Sequence, residues 1–131
     1  MTIDDGVFSM TQYELTTNAV AQDIQIKYDE FRKSCKTILP KIDPKLIEDF
    51  LFRQQDVSDI KPKYSLELIT REGLDTQKMK DLIWNKFGKL PVIDYNGTYY
   101  RIEHTLTLEM LKRLCDYDFI VGIKGSYVGP I

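Results

Sequence analysis

The chain has 131 residues, of which 43% are hydrophobic and 29% are charged, and its formal net charge is −2. This size and composition are typical of one globular domain that buries its own core. The apolar runs are too short for a transmembrane helix, and the first ten residues contain two aspartates and no basic region of a secretory signal. We therefore expect a cytoplasmic protein with no membrane partner.

The charge is distributed unevenly along the chain. Residues 1–60 carry 7 basic and 11 acidic side chains, whereas residues 61–131 carry 11 basic and 9 acidic ones. This asymmetry is mild beside the basic excess of a dedicated duplex-binding domain. Nucleic acid is accordingly not an expected partner.

The first predicted element is a long amphipathic helix. Thr11 and Glu14 have the spacing of a capping box, and we expect the helix to run to about Leu39, before Pro40. Its length would be about 40 Å. The apolar positions lie on one helical face at spacings of three, four and seven: Tyr13, Val20, Ile24, Phe31, Cys35 and Ile38.

A second helix is predicted to begin at Pro44. Asp43 has the side chain of an N-cap, and proline suits the first helical position because its missing N–H group is not needed there. The helix should fade by Gln55, and the polar segment QQDVSDIKPK that follows is read as a linker. Its apolar face contains Leu46, Ile47, Phe50 and Leu51.

The second half of the chain begins with the two-residue period of a strand. Residues 63–70 alternate, with Tyr64, Leu66 and Leu68 on one face, which predicts a half-buried strand. Asp75 can cap a following helix that ends at Gly88.

A β-hairpin and a further helix and strand complete the predicted elements. Pro91 opens the second strand, and Asn96-Gly97 predicts a two-residue type I′ turn because both positions favour positive φ. The third strand runs through Glu103, and Thr107 can cap a fourth helix. The last strand is expected over residues 119–124, and KGSYVG is expected to be the strand end followed by an irregular segment.

The predicted fold class is α+β: an N-terminal helical hairpin followed by a βαββαβ unit. This order of elements is similar to the ferredoxin-like pattern, a four-stranded antiparallel sheet with helices on one face. We predict a two-helix segment over residues 1–60 and the βαββαβ unit over residues 61–131, packed together as one compact domain. The other face of the sheet would then be open or covered by another element.

Strand alternation predicts which side chains lie on that outer face. The hairpin contributes Val92, Asp94, Tyr99, Arg101 and Glu103; the first strand contributes Ser65, Glu67 and Ile69; and the last strand contributes Ile120, Gly122 and Lys124. A one-residue slip in register would exchange the faces. The candidate ligand-binding residues are Tyr99, Arg101 and Glu103.

Three interpretations of the outer face remain open. In the first, charged residues form cross-strand pairs and a helix of this or a second copy covers the surface. In the second, the face binds a small molecule. In the third, it binds single-stranded RNA, since RNA-recognition domains share this topology and stack bases on aromatic side chains. The third interpretation is the weakest, because Glu67 and Glu103 would repel phosphates.

The sequence contains no catalytic or metal-binding motif, and no cofactor is predicted. The chain has one histidine, His104, which alternation places on the inner face as a packed edge residue. Cys35 and Cys115 fall in apolar helical stripes and are expected to be buried rather than redox-active. No catalytic residue is therefore assigned.

The leading hypothesis is a non-catalytic interaction or regulatory module that forms a homodimer through the N-terminal helices. The alternative is a small-ligand-binding domain or small enzyme, with its site between the open sheet face and the long helix. The weaker alternative is single-stranded RNA binding.

Overall fold

The computed structural model describes residues 12–56 and 62–130. Its helices are α1 (Gln12–Ile38), α2 (Pro44–Asp56), α3 (Thr76–Phe87) and α4 (Leu108–Cys115). Its strands are β1 (Pro62–Thr70), β2 (Val92–Asp94), β3 (Tyr99–Thr105) and β4 (Ile120–Pro130). The predicted α+β class is confirmed: N-terminal helices precede a four-stranded antiparallel open sheet of order β2-β3-β1-β4, interleaved with helices.

The contacts divide the chain after Ser34 into two units. The first unit contains most of α1, and the second contains the end of α1, the sheet and the other helices. Of the predicted linker QQDVSDIKPK, residues 54–56 belong to α2 and residues 62 and 63 to β1, and residues 57–61 lie outside the residues whose structure is described. Thr11 of the predicted capping box with Glu14 also lies outside them. The boundary near residue 60 and the packing of the chain as one compact domain stay predictions.

The helix ends follow the local chemistry of the sequence. The side chain of Asp75 accepts a hydrogen bond from the backbone N–H of Gln77, and Thr107 accepts one from Met110. Asp43 accepts a bond from the N–H of Lys45 at the start of α2. Each bond satisfies an N–H group that the first turn of a helix leaves without a partner.

The hairpin between β2 and β3 has the predicted register. Ile93 pairs with Tyr100, and the N–H of Thr98 donates to the carbonyl of Tyr95 at 3.2 Å. Asn96 and Gly97 have φ values of 57° and 79°, as a type I′ turn requires. Tyr95 also has a positive φ of 53°, an uncommon conformation for a tyrosine.

Strand β4 differs from its prediction in face and in length. Ile120 was expected on the outer face, but it pairs with Thr70 and is fully buried. The register shifts between Ile69 and Thr70, so one extra residue of β4 reverses the alternation, as a β-bulge does. Gly122 and Lys124 lie on the outer face as predicted, because they pair with Ile69 and Glu67.

The segment KGSYVG was expected to be irregular, but it belongs to strand β4. Gly125 and Tyr127 continue the ladder by pairing with Leu66 and Tyr64 of β1, and β4 reaches Pro130. A nine-residue partner strand supplies hydrogen bonds along this whole length. A long neighbouring strand therefore outweighs the low strand propensity of a glycine-containing segment.

The core lies between the inner face of the sheet and the helices of the second unit. The inner face is formed by Tyr64, Leu66, Leu68, Tyr100, Ile102 and Ile123, and the helices contribute Leu46, Ile47, Phe50, Met79, Ile83, Leu111 and Leu114. Helix α2 approaches closely at Gly125, where an added Cβ atom would lie 2.7 Å from the Ser65 carbonyl oxygen and 3.5 Å from Leu46. Glycine is therefore needed at this position because a side chain would clash with the backbone of β1, whereas the contact with α2 is of ordinary length.

The predicted apolar face of α1 is only partly buried. We call Val20, Ile24, Phe31, Cys35 and Ile38 the α1 stripe. Cys35 is 7% exposed, whereas Val20, Ile24 and Ile38 are 51%, 64% and 62% exposed. Much of the stripe therefore faces solvent in the single chain.

Candidate functional site

The outer face of the sheet carries the three residues predicted to bind a ligand. Tyr99, Arg101 and Glu103 alternate along β3 with the buried Tyr100 and Ile102, so they share the face opposite the core. Their neighbours on β1 are Ile69, Glu67 and Ser65 respectively. Strand alternation thus predicted the arrangement along β3 correctly.

Arg101 and Glu103 are engaged in separate ion pairs. Arg101 Nη1 lies 3.9 Å from Asp94 Oδ2 on β2, and Glu103 Oε1 lies 3.4 Å from Lys63 Nζ on β1. Exposed pairs of this kind contribute roughly 0–1 kcal/mol to stability. Arg101 and Glu103 therefore share one face of β3 but pair with different neighbouring strands, and their joint binding of a ligand stays a prediction.

Tyr99 is half-buried between another ring and a cation. Its ring centroid lies 4.5 Å from that of Tyr95, and Lys124 Nζ lies 5.6 Å from the Tyr99 centroid. These contacts occupy part of the ring surface that base stacking would need.

A groove of about 370 Å³ lies beside the same face, at the β4 edge. We call it the lysine groove. Its floor contains Ile42, Ile69 and Gly122, and its rim contains Lys36, Lys41 and Lys124. Since Ile69 is the cross-strand neighbour of Tyr99, the groove adjoins the predicted ligand-binding residues.

Backbone pairing at the edge of the sheet shapes the lysine groove. The N–H of Ile123 donates to the Lys41 carbonyl, and the N–H of Asp43 donates to the Ile123 carbonyl, both at 2.8 Å. This single parallel bridge fixes the segment before α2 against β4. Gly122 has no side chain to fill the groove, whereas an added Cβ would occupy space 3.6 Å from Ile69.

A second hollow of about 290 Å³ lies between α3 and α4. Phe87, Met110 and Leu114 contribute apolar atoms to it, and Glu109 and Arg113 lie on its rim. The two rim charges form an ion pair at 3.4 Å. Lys86 also lines the hollow, so its surface mixes apolar atoms with polar and charged groups.

A polar cluster of the second unit joins α2 to the sheet. The Tyr64 hydroxyl donates to Asp49 Oδ2 at 2.6 Å, and Arg53 Nε donates to the same oxygen at 2.9 Å. The Arg53 guanidinium carbon lies 3.6 Å from the ring centroid of Tyr127, which in turn packs edge-on against Tyr64. The contacts among these four residues attach α2 to β1 and β4.

The pKa shifts in this cluster fit a structural role. Burial raises the pKa of the Tyr64 hydroxyl, and the bond to Asp49 raises it further. Partial burial opposes the charged form of Asp49, but hydrogen bonds from Tyr64 and Arg53 outweigh it, so the pKa of Asp49 lies below its usual value. A carboxylate that stays charged and a phenol that stays protonated are suited to a hydrogen bond rather than to proton transfer near neutral pH.

Sequence reasoning did not identify this cluster. The four-residue spacing of Asp49 and Arg53 is a signal for a pair on one helical face. The participation of Tyr64 and Tyr127 has no such signal, because it depends on how α2 crosses the sheet.

His104 packs on the inner face as predicted. Its ring centroid lies 5.0 Å from that of Phe87 in an edge-on arrangement. Burial lowers the pKa of His104, and the nearby charge of Lys89 lowers it further. The imidazole is therefore neutral at physiological pH.

The two cysteines are packed to different degrees. Cys35 is buried as expected, whereas Cys115 is only half-buried, and neither forms a disulfide. Among residues 12–56 and 62–130, no group of three His, Cys, Asp or Glu side chains could hold a metal ion. Within those same ranges, no helix has the length and apolar character needed to cross a membrane.

Comparison with known proteins assigns the chain to no family. No protein-family model matches it, and no curated protein or solved structure is significantly similar to it. The functional argument therefore rests on the geometry of the chain itself.

Proposed function

We propose that the protein is a non-catalytic interaction module that self-associates through its N-terminal helix α1. The observation that carries this proposal is the exposure of the α1 stripe. Val20 and Ile24 lie one helical turn apart on the same face, and both are more than half exposed. Exposed apolar surface that is aligned along one helix is a common feature of protein–protein contacts.

The free energies involved are of the size that a dimer needs. Complete burial of a valine, isoleucine or phenylalanine side chain contributes about 1.5–3 kcal/mol. In a two-fold symmetric dimer, each residue of the stripe makes this contribution once in each copy. Association itself costs roughly 4–15 kcal/mol in lost freedom of motion. The stripes of two copies together can offset this cost. A helix without a packed partner is also only marginally stable, so pairing would stabilise α1.

The finer description of the fold belongs to the same proposal. We infer that residues 62–130 form a ferredoxin-like βαββαβ module and that α1 and α2, which precede it, form a helical hairpin. The sheet order β2-β3-β1-β4 and the order of helices and strands support this inference. On such a module, the engaged charge pairs of the outer face stabilise the sheet and α1 provides the contact surface.

Sedimentation equilibrium with two matched variants tests the proposal. Ile24→Asp places a charge in the α1 stripe and should raise the dimer dissociation constant by roughly 30-fold or more, because a buried unpaired charge is costly. Ile26→Asp is the control, since Ile26 is also 54% exposed but lies about 200° around the helix from Ile24. Its dissociation constant should stay within about threefold of the original. A full chain that remains monomeric at high micromolar concentration would refute the proposal.

The lysine groove favours a second candidate function, small-ligand binding. Its volume of about 370 Å³ lies within the usual range of ligand pockets, and it adjoins Tyr99. If this function is correct, Lys41→Ala, which removes a charge that lines the groove, should leave the oligomeric state intact but abolish retention of a ligand that copurifies with the protein. Unchanged retention in Lys41→Ala would count against it.

A further inference from the structure

The lysine groove combines an apolar floor with positive charge. Ile42 and Ile69 supply the floor, and three lysines stand on the rim against one acidic lining residue, Asp43. Lys41 Nζ donates to the Tyr117 carbonyl at 2.6 Å, which holds one of these positive charges in place. A complementary occupant needs carboxylates next to apolar side chains.

The chain itself contains a segment of this chemistry. Residues 1–11 read MTIDDGVFSMT, with adjacent Asp4 and Asp5, the apolar Val7 and Phe8, and no basic side chain. The structure of these residues is not described. Their composition is complementary to the groove in both charge and apolar character.

The charge pattern of α1 favours an antiparallel arrangement of two copies. Residues 12–25 carry Glu14 and Asp23 and no basic residue, whereas residues 26–38 carry a net positive charge from Lys27, Arg32, Lys33 and Lys36 against Asp29 and Glu30. A parallel pair would place like-charged halves together. An antiparallel pair places the acidic half of each helix beside the basic half of its partner.

Antiparallel pairing also brings the acidic segment to the groove. In two antiparallel α1 helices that overlap up to Ser34, where the first unit ends, Gln12 of one copy lies beside Ser34 of the other. Lys36 and the residues after Pro40, which line the groove, are at that same end of the helix. We propose that residues 1–11 of one copy dock into the lysine groove of a second copy, so that each dimer contains two reciprocal contacts. This inference rests on the proposed self-association through α1.

Charge-reversal variants and their mixture test the inference. Asp4→Lys/Asp5→Lys in one chain, and Lys36→Glu/Lys124→Glu in another, should each weaken the homodimer by roughly tenfold or more through like-charge repulsion. An equimolar mixture should restore affinity as a heterodimer, because both reciprocal contacts again join opposite charges. Lys78→Glu/Lys80→Glu on α3 is the control for net charge and should change affinity by less than about threefold.

The outcomes separate this inference from the proposed function. A wild-type chain that is monomeric by sedimentation equilibrium refutes self-association, and the inference falls with it. A wild-type dimer whose affinity Asp4→Lys/Asp5→Lys leaves unchanged refutes the docking alone. A mixture that is no tighter than its two components refutes docking between copies. Thermal unfolding checks that the groove variant folds, and Lys36→Glu alone repeats the test without placing a glutamate beside Glu67 on the sheet.

Discussion

Two buried tyrosines on the inner face differ in what their hydroxyl groups contact. The Tyr64 hydroxyl donates to the Asp49 carboxylate, whereas the Tyr100 hydroxyl is buried without a hydrogen-bond partner among the described residues. A buried polar group without a partner loses its hydration and gains nothing in return. The two side chains, alike in chemistry, should therefore contribute differently to stability.

Replacement of each tyrosine by phenylalanine measures this difference. Tyr64→Phe should lower the free energy of unfolding by about 1–3 kcal/mol, because it removes a bond to a charged acceptor. Tyr100→Phe should change it by less than about 0.5 kcal/mol or raise it. Urea unfolding of both variants is the measurement. Equal losses in the two variants would contradict the assigned hydrogen bonding.

His104 gives stability a specific dependence on pH. Burial and the charge of Lys89 lower its pKa in the folded chain. Between that lowered pKa and the unfolded value of about 6.5, the unfolded chain binds more protons than the folded chain. The free energy of unfolding should therefore fall as the pH drops below about 6.5, and level off below the folded pKa.

The variant His104→Gln tests this pH dependence. His104 is the single histidine of the sequence, so unfolding measured between pH 7.5 and 5.5 isolates its titration from that of most carboxylates. The slope seen in the original chain should disappear in the variant. A slope that persists unchanged in His104→Gln would assign the effect to another group.

At the scale of elements, one guanidinium group adds a polar contact to the apolar packing of α2 on the sheet. Arg53 donates to Asp49 on its own helix and stacks on the ring of Tyr127 in β4. A lysine would keep the charge but lose the flat stacking surface and the fixed donor geometry. Arg53 therefore contributes to helix docking through its shape as well as through its charge.

Arg53→Lys should lower the free energy of unfolding by roughly 0.5–2 kcal/mol. Arg113→Lys is the matched control, since Arg113 forms an exposed pair with Glu109 on the same helix, and it should change stability by less than about 0.5 kcal/mol. Thermal or denaturant unfolding can compare them directly. Equal effects of the two substitutions would show that the stacking on Tyr127 contributes nothing.

The elements that the sequence predicted well are those with local causes. The caps at Asp75 and Thr107 and the turn at Asn96-Gly97 depend on hydrogen bonds and φ angles within a few residues. The face of Ile120 was wrong because a β-bulge arises from pairing between distant strands. The extent of β4 was underestimated for the same reason.

The candidate site was predictable to a similar degree. Alternation along β3 correctly placed Tyr99, Arg101 and Glu103 on one face. The ion-pair partners of Arg101 and Glu103 lie on two different strands, and the lysine groove joins segments far apart in sequence. No periodicity within a single segment reports such contacts.

At the scale of the whole molecule, the outer face of the sheet differs from the α1 stripe in how its side chains are partnered. On the outer face, Arg101 and Glu103 form ion pairs with Asp94 and Lys63 on the neighbouring strands. The α1 stripe keeps Val20, Ile24 and Ile38 largely exposed. The surface of the molecule that gains most from a partner is therefore α1.

Native mass spectrometry of the full chain tests this account most directly, because one spectrum reports both the oligomeric state and any retained ligand. We expect a dimer at twice the chain mass of 15.3 kDa, with no added mass. The dimer should be lost in Ile24→Asp and kept in Ile26→Asp. A monomer would contradict self-association through α1. A reproducible added mass on the chain would instead favour a ligand-binding function for the lysine groove and the neighbouring sheet face.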